Sequence, residues 1–327
     1  MADALDLFRA LADPTRLRIV ALLRRMELSV GELAQVLGQS QPRVSRHVKI
    51  LCDAALAERR KEGSWVFVAL KSGARIDAAL ATIDGWDVGK EDHWTRADTA
   101  RLAAVRADRA AAAAQWFEAN AGQWDAIRSL HIAESEVEAA MAAVLGDAPM
   151  RRLVDIGTGT GRMLELFAPR ADAAIGIDRS SEMLRLARAK LSERGLDKAE
   201  LRQADLYALP LDDGAADLAI VHHVLHFAQA PDAAIAEAAR VLNEGGRLLI
   251  ADFAPHQREE LRAQDAHARL GFSDEQILGW FAAAGLSPVR TETLEGGELT
   301  VKLWLGRKHV PTSDRGADGH DVKVKAA

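Results

Sequence analysis

Two patterns of apolar and polar positions divide this chain into a front and a back part. In the front part, Val44, Val48 and Leu51 recur at helical spacing, and several short helical patterns follow one another. In the back part, short apolar runs alternate with helical patterns from Leu153 onward. Strands that alternate with helices are typical of a parallel sheet. The pattern predicts a small helix-rich domain followed by an α/β domain.

Residues that start and end helices divide the front part further. Asp13 and Pro14 predict a helix start, because aspartate caps the first turn and proline fits the first helical position. Ser29 and Glu32 have the spacing of a capping box, and Gly38 ends the short helix that follows. Ser40 is expected to cap the third helix, which follows this turn. Two short helices joined by a tight turn form a helix-turn-helix unit.

A predicted β-hairpin with the basic run RRK (59–61) follows the third helix, as the wing of a winged helix. The sequence from DPTRLRIVALL (13–23) to SWVFVAL (64–70) resembles the ArsR/SmtB family of winged-helix regulators. The resemblance implies that the helix over 40–54 enters the major groove of DNA, and that the protein is a homodimer. The candidate DNA-binding residues are Ser40, Gln41, Arg43, Ser45, Arg46, Lys49, Arg60 and Lys61.

Charge supports a nucleic-acid partner for the front part. Residues 1–70 contain 11 Lys/Arg and 8 Asp/Glu, although the whole chain has a net charge of −6. Arg43 or Arg46 can read a guanine edge and Gln41 an adenine edge, whereas Arg60 and Lys61 would contact phosphates. We therefore expect double-stranded operator DNA as a partner.

Metal sensing through thiolates is not expected. The chain has a single cysteine, Cys52, and soft thiolate sites need several. One cysteine also fits a reducing cytoplasm, and the acidic, amphipathic N-terminus lacks the basic start of a signal peptide. We expect a cytoplasmic protein without a membrane partner.

The run LVDIGTGTG (153–161) is the most informative segment of the back part. A short strand ends in an aspartate, and glycines follow at alternate positions, with Arg162 where a dinucleotide fingerprint would need glycine. The form D-x-G-x-G-x-G resembles motif I of class I S-adenosylmethionine (SAM) methyltransferases. Over roughly residues 115–307, the order of motifs resembles the ubiquinone and menaquinone methyltransferases. The fold class expected is therefore an α+β winged helix-turn-helix followed by an α/β Rossmann-like class I methyltransferase domain.

The resemblance implies a binding site for SAM or S-adenosylhomocysteine (SAH). Asp178 would bind the ribose hydroxyls, since an acidic residue about 20 positions after the glycines can accept both hydrogen bonds. Arg179 and Met183 would flank the adenosine, and Asp205 and Leu206 would hold the adenine. The candidate cofactor-binding residues are Asp155, Gly157, Gly159, Gly161, Asp178, Arg179, Met183, Asp205, Leu206 and His222.

Three histidines end the fourth predicted strand of the back part. His222 would border the sulfonium, and His223 and His226 are candidate catalytic bases, because imidazole titrates near neutral pH. A metal site is not expected here, since adjacent histidines point apart on a regular element and no carboxylate or cysteine stands nearby in the sequence. The methyl acceptor would be a small molecule.

These patterns divide the chain into a DNA-binding domain over 1–85, a helical linker or lid over 86–130, a methyltransferase domain over 131–308 and a disordered tail over 309–327. Trp116, Phe117, Trp124 and His131 are candidate lid residues, with packing between helices as the alternative. Three functions remain open. The protein is a repressor fused to an active methyltransferase, a repressor that only senses SAM or SAH, or an enzyme that the front domain dimerises.

Overall fold

The computed structural model describes residues 2–62, 65–71, 73–85, 93–120, 133–148, 150–196 and 198–310. The predicted wing tip, the lid candidates Trp124 and His131, the side chains of Trp116 and Phe117, and the tail from 311 lie outside this description. Among the described residues, no helix is both long enough and apolar enough to span a membrane.

The front domain combines helices with a small antiparallel sheet in the order β1-β3-β2. Its elements are α1 (Ala2–Leu11), α2 (Pro14–Leu23), β1 (Leu28–Ser29), α3 (Val30–Leu37), α4 (Gln41–Asp53), β2 (Ala57–Glu62), β3 (Trp65–Leu70), α5 (Ala74–Gly85) and α6 (His93–Asn120). Leu102 and Val105 of α6 pack into the same core as α2, α3 and α4. Arg18 fastens this helix further, because its guanidinium donates to both carboxylate oxygens of Asp98 at 2.7 Å.

Two of the three predicted helix caps are confirmed, and the cap predicted at Ser40 is not. Asp13 accepts a hydrogen bond from the Arg16 N–H at 3.0 Å, and Ser29 and Glu32 form the reciprocal capping box. Gly38 ends α3 with φ at +64°, a left-handed conformation that glycine adopts without strain. Ser40 stands at the start of α4, but its side chain makes no capping hydrogen bond.

The back domain is built on a seven-stranded sheet in the order β6-β5-β4-β7-β8-β10-β9. Its strands are β4 (Arg152–Ile156), β5 (Ala173–Asp178), β6 (Glu200–Gln203), β7 (Ala216–His222), β8 (Leu242–Phe253), β9 (Leu286–Leu294) and β10 (Val301–Lys308). Its helices are α7 (Glu134–Leu145), α8 (Arg162–Phe167), α9 (Ser181–Glu193), α10 (Pro231–Val241), α11 (Glu260–Gln264) and α12 (Asp274–Ala283). The first five strands in this order are parallel, and β10 is antiparallel to both of its neighbours.

Helices cover both faces of this sheet, so that its central strands are nearly all apolar and buried. Chain order reverses at β4, since β5 lies on one side of it and β7 on the other. A crevice outside the carboxyl ends of such strands is the usual ligand site in open α/β sheets. The carboxyl ends of β4, β5 and β7 carry Asp155, Asp178 and His222 to this edge.

Candidate functional site

The helix α4 presents a polar face to solvent. Gln41, Arg43, Arg46 and Lys49 are exposed there, and the Lys49 ammonium lies 2.6 Å from Asp53 on the same helix. The guanidinium groups of Arg43 and Arg46 form no hydrogen bond or ion pair with the described part of the chain. They are therefore available to bases or phosphates, and their role in recognition stays a prediction.

The basic side chains of the wing strand β2 lie on both faces of the strand. Arg59 donates to the backbone carbonyl of Ser45 at 2.8 Å and holds β2 against α4. Lys61 lies two positions further along the strand, on the same face, and is exposed. Arg60 faces the opposite side and forms an ion pair with Glu27. A phosphate contact by Arg60 therefore requires this ion pair to open.

Glu27 also joins the two domains. Its Oε2 accepts a hydrogen bond from Arg269 of the back domain at 2.8 Å, and the Arg269 side chain is 2% exposed. The same guanidinium lies 4.3 Å from the ring centroid of Phe67 in the wing. The Arg269 backbone N–H donates to the His226 carbonyl at 2.9 Å. One carboxylate therefore connects the wing to the edge of the sheet where the histidines lie.

The glycine-rich turn after β4 is held by local hydrogen bonds. The N–H groups of Gly157 and Thr158 both donate to the Ile177 carbonyl, at 2.7 and 2.9 Å. The Thr158 hydroxyl donates to the buried Asp155 carboxylate at 2.6 Å. A Cβ on Gly157 would overlap the methyl groups of Val224, so the backbone passes here at a distance that only glycine allows. Asp155 thus helps to hold the loop in place.

Asp178 orders the same turn from the next strand. Its carboxylate accepts hydrogen bonds from the backbone N–H groups of Gly159 and Ser180, both at 2.8 Å. Burial raises the pKa of this carboxyl, and the backbone N–H groups of Ser180, Gly159 and Arg179 oppose the shift. Each oxygen keeps a lone pair, so the group can still accept from ribose hydroxyls.

These elements enclose a cavity of about 840 Å³, within the usual size range of small-molecule sites. Its walls include nine of the ten predicted cofactor-binding residues: Asp155, Gly157, Gly159, Asp178, Arg179, Met183, Asp205, Leu206 and His222. We call this set the cofactor half of the cavity. Gly161 is not in its wall, and its missing Cβ leaves room for Ala187 of α9 at 3.3 Å.

A second group of residues, the histidine half, consists of His222, His223, His226, Glu134 and Asp252. The His222 and His223 rings lie 4.5 Å apart between centroids, because His223 has a φ of +53° and its ring turns back toward its neighbour. His226 Nδ1 lies 2.8 Å from Asp252 Oδ1, and both residues are buried. His223 lines the cavity, whereas His226 lies outside its wall.

Burial has opposite effects on the pKa values of this group. Desolvation, reinforced by His222, lowers the pKa of His223 well below its ordinary value. Desolvation raises the pKa of Asp252. The charged form is disfavoured in both cases.

Several residues of the site carry no motif and were not predicted. Glu134 begins α7 and lies 3.1 Å from His222 Nε2. The hydroxyl of Tyr207 accepts hydrogen bonds from the backbone N–H groups of Gln229 and Ala230, at 2.8 and 3.0 Å. Arg25 and Met26, from the front domain, line the cavity beside the cofactor half. The sequence motifs of the back domain could not predict that residues of the front domain line its cavity.

The shape and the polar groups of the cavity fit SAM. It offers a backbone turn with no room for a side chain at Gly157, a carboxylate at the tip of β5 for the ribose, and the apolar side chains of Met183 and Leu206 beside it. Asp205 follows β6 at the place where an acceptor for the adenine amino group is expected. When bound, the cofactor supplies an electrophilic methyl group; the protein orients and desolvates the partners.

Comparison with known proteins supports the front domain independently. Residues 13–59 match the family described as bacterial regulatory protein, arsR family. The arsenical resistance operon repressor of Escherichia coli (strain K12) is 41% identical over 88 residues, which cover 27% of this chain and 75% of that protein.

Residues 154–250 match the methyltransferase domain family. The phosphatidylethanolamine N-methyltransferase of Cereibacter sphaeroides is 34% identical over 143 residues, covering 43% of this chain and 68% of that protein. The demethylmenaquinone methyltransferase of Thermus thermophilus is 40% identical over 119 residues, covering 36% of this chain and about half, 53%, of that protein. A methyltransferase solved with the Haloferax volcanii Trm112 methyltransferase activator shares the fold, with a TM-score of 0.51 at 20% identity over 60% of this chain and 97% of that chain.

Proposed function

We propose that this chain, which belongs to the arsR family of bacterial regulatory proteins in its front domain and to the class I methyltransferases in its back domain, is a transcriptional repressor whose affinity for operator DNA depends on SAM or SAH. One observation carries the proposal. Arg25 and Met26 of the front domain line the same cavity as Asp155 and Asp178 of the back domain.

A ligand that contacts both domains must bind differently when the domains change their arrangement. Such a difference in affinity between two arrangements is what allows a ligand to shift an equilibrium. Arg25 and Met26 lie between α2 and β1, and the next residue, Glu27, holds the wing through Arg60. Occupancy of the cavity therefore acts on the segment that carries the helix-turn-helix and the wing.

The proposal includes a homodimer that binds an inverted repeat. Leu5 and Phe8 of α1 are more than half exposed in the single chain, and this helix belongs to the dimer interface that the family resemblance implies. A two-fold dimer places its recognition helices about one turn of DNA apart, or a multiple of that. Half-site spacing in the operator tests this geometry.

The first experiment measures binding of the full chain to its own promoter fragment by fluorescence anisotropy, with and without SAM and SAH. We expect one of the two ligands to change DNA affinity about tenfold, within the usual range of coupling energies. In Arg25→Ala this change should shrink, whereas Arg24→Ala, whose side chain pairs with Asp84 on the surface, should retain it. DNA affinity that neither ligand alters would overturn the proposal.

DNA recognition has its own test. The double variant Arg43→Ala/Arg46→Ala should lose about 100-fold in operator affinity, since each base contact contributes about 1–3 kcal/mol. Arg188→Ala removes an equally exposed charge from α9 of the back domain and should leave DNA affinity unchanged. Equal affinity of the double variant and the wild type would remove α4 as the recognition helix.

A second candidate function is methyl transfer to a small molecule. The cavity favours it because its wall continues past the cofactor half to His223, which leaves space for an acceptor near the place proposed for the sulfonium. His223, in the cavity wall, stays a predicted base for an acceptor that must lose a proton, whereas the other predicted base, His226, lies outside that wall. Release of SAH from SAM in the presence of a small-molecule cell extract, above the rate without extract, is the expected result; equal rates would favour the sensor alone.

A further inference from the structure

The histidine half contains a set of metal-ligand atoms that the proposed function does not use. One ring nitrogen each of His223 and His226 and one oxygen of Asp252 lie within 4.8 Å of one another, and the three residues are 3%, 2% and 0% exposed. Donor atoms this close, with so little solvent contact, need only small side-chain shifts to share one ion.

The first observation that points to a ligand concerns the ring nitrogens of His223. Neither ring nitrogen forms a hydrogen bond with the described part of the chain, although both atoms are buried. A buried polar group left without a partner costs about 1–3 kcal/mol. The residue also has a backbone φ of +53°, in a region that residues other than glycine rarely adopt. A buried polar group without a partner and a strained backbone, both at one residue beside a cavity, are typical of a functional position.

Asp252 and His226 supply the second observation. Asp252 Oδ1 lies 2.8 Å from His226 Nδ1 and also accepts from the Phe253 backbone N–H at 2.8 Å, while Oδ2 accepts from the His226 N–H at 3.3 Å. The carboxylate and the imidazole are thereby fixed relative to each other. For both residues to bind one ion, the metal would take the place of the proton shared by His226 Nδ1 and Asp252 Oδ1, which already lie 2.8 Å apart.

We propose that His223, His226 and Asp252 bind a divalent transition-metal ion of the zinc type. Two imidazole nitrogens and one carboxylate oxygen suit Zn²⁺ or its neighbours and do not suit Mg²⁺ or Ca²⁺, which prefer oxygen ligands alone. Three protein ligands would leave a coordination position open, and one of the three, His223, lines the cavity. His223 also belongs to a second group of close donor atoms, together with His222 and Glu134.

The sequence argued against this site because no carboxylate stands close to the histidines along the chain. The structure brings Asp252 from the end of β8 to the end of β7, since the two strands are parallel neighbours, with His222 paired to Ala251. A nitrogen that ligates a metal has no lone pair for a proton. The roles of base and ligand therefore exclude each other at the same atom.

The test uses the full chain without a histidine tag, stripped of metal with a chelator. Zn²⁺ is titrated in competition with a chromophoric chelator, and Co²⁺ binding is followed by its visible absorption. We expect about one equivalent of saturable Zn²⁺ and a Co²⁺ spectrum of low coordination number. These wild-type titrations need no variant, and absence of stoichiometric binding in them would overturn the proposal.

Variants then locate the ion. His223→Asn and His226→Asn should each weaken Zn²⁺ binding at least about tenfold; an asparagine at 226 can still donate to Asp252. His309→Asn, at an exposed histidine bonded to Ser287, is the matched control. Unchanged affinity in the His223 and His226 variants, or a loss in Glu134→Gln without one in Asp252→Asn, would contradict the assigned ligands. A thermal unfolding curve, measured on every variant, reports whether the fold is intact, and failure of the DNA response to SAM would leave this result unaffected.

Discussion

The cofactor half of the cavity and the histidine half, of which only His222 and His223 line the cavity wall, are built in different ways. In the cofactor half, the glycine turn and the two aspartates satisfy one another through short hydrogen bonds between neighbouring strands. In the histidine half, buried imidazoles meet carboxylates from distant parts of the chain, and His223 keeps both nitrogens unbonded within the described residues. The polar groups of the cofactor half thus already have hydrogen-bond partners without a ligand. In the histidine half, the ring nitrogens of His223 remain available to bind one.

The largest expected effect tests the cofactor half at its tightest point. In Gly157→Ala, the new Cβ would lie 2.8 Å from Val224 Cγ1 and closer still to the other methyl group, at a φ of +74°. Valine is stiff at its Cβ, so the turn or the cavity wall must shift. We expect SAM affinity in calorimetry to fall about 100-fold or more, equal to about 3 kcal/mol.

Gly195→Ala is the matched control, because Gly195 also has a positive φ, of +69°, but no atom lies within 4 Å of its added Cβ. The control isolates backbone strain of about 1 kcal/mol and should leave SAM affinity within about twofold. If both variants bind SAM equally well, close approach at Gly157 has no part in cofactor binding.

Asp178→Asn is expected to have the next largest effect. An amide has one oxygen where the carboxylate has two, so one of the N–H groups of Gly159 and Ser180 must lose its acceptor or face an NH₂ group. We expect about a tenfold loss of SAM affinity, with thermal unfolding monitored in parallel to separate binding from loop stability. Asp172→Asn changes an exposed aspartate just before β5 and should not alter binding.

The same contrast explains what the sequence alone could predict. The turn after β4, the capping box of Ser29 and Glu32, and the exposed arginines of α4 are local patterns, and their geometry depends on residues a few positions apart. Glu27, Asp252 and Glu134 act on partners that are distant in sequence, so no spacing rule finds them. Their positions depend on how strands pair and how the domains pack.

Tyr207→Phe sharpens the comparison at the rim of the cofactor half. The variant keeps the ring but removes the oxygen that accepts from the Gln229 and Ala230 N–H groups. Because Tyr207 is 36% exposed, water can replace part of this interaction. We expect a loss of about threefold in SAM affinity, and a loss as large as that of Gly157→Ala would mean that the rim contributes as much as the glycine turn.

The smallest expected effect belongs to the histidine half. His226→Asn should leave SAM affinity within about twofold, because His226 is outside the cavity wall and the asparagine amide can retain the hydrogen bond to Asp252. His226 also packs against Phe227 and Phe253, so calorimetry is combined with a thermal unfolding curve to detect lost packing. A variant that stays folded yet loses SAM would show that the two halves bind one ligand together, and the division between a preformed cofactor site and a separate group of ligand atoms would fail.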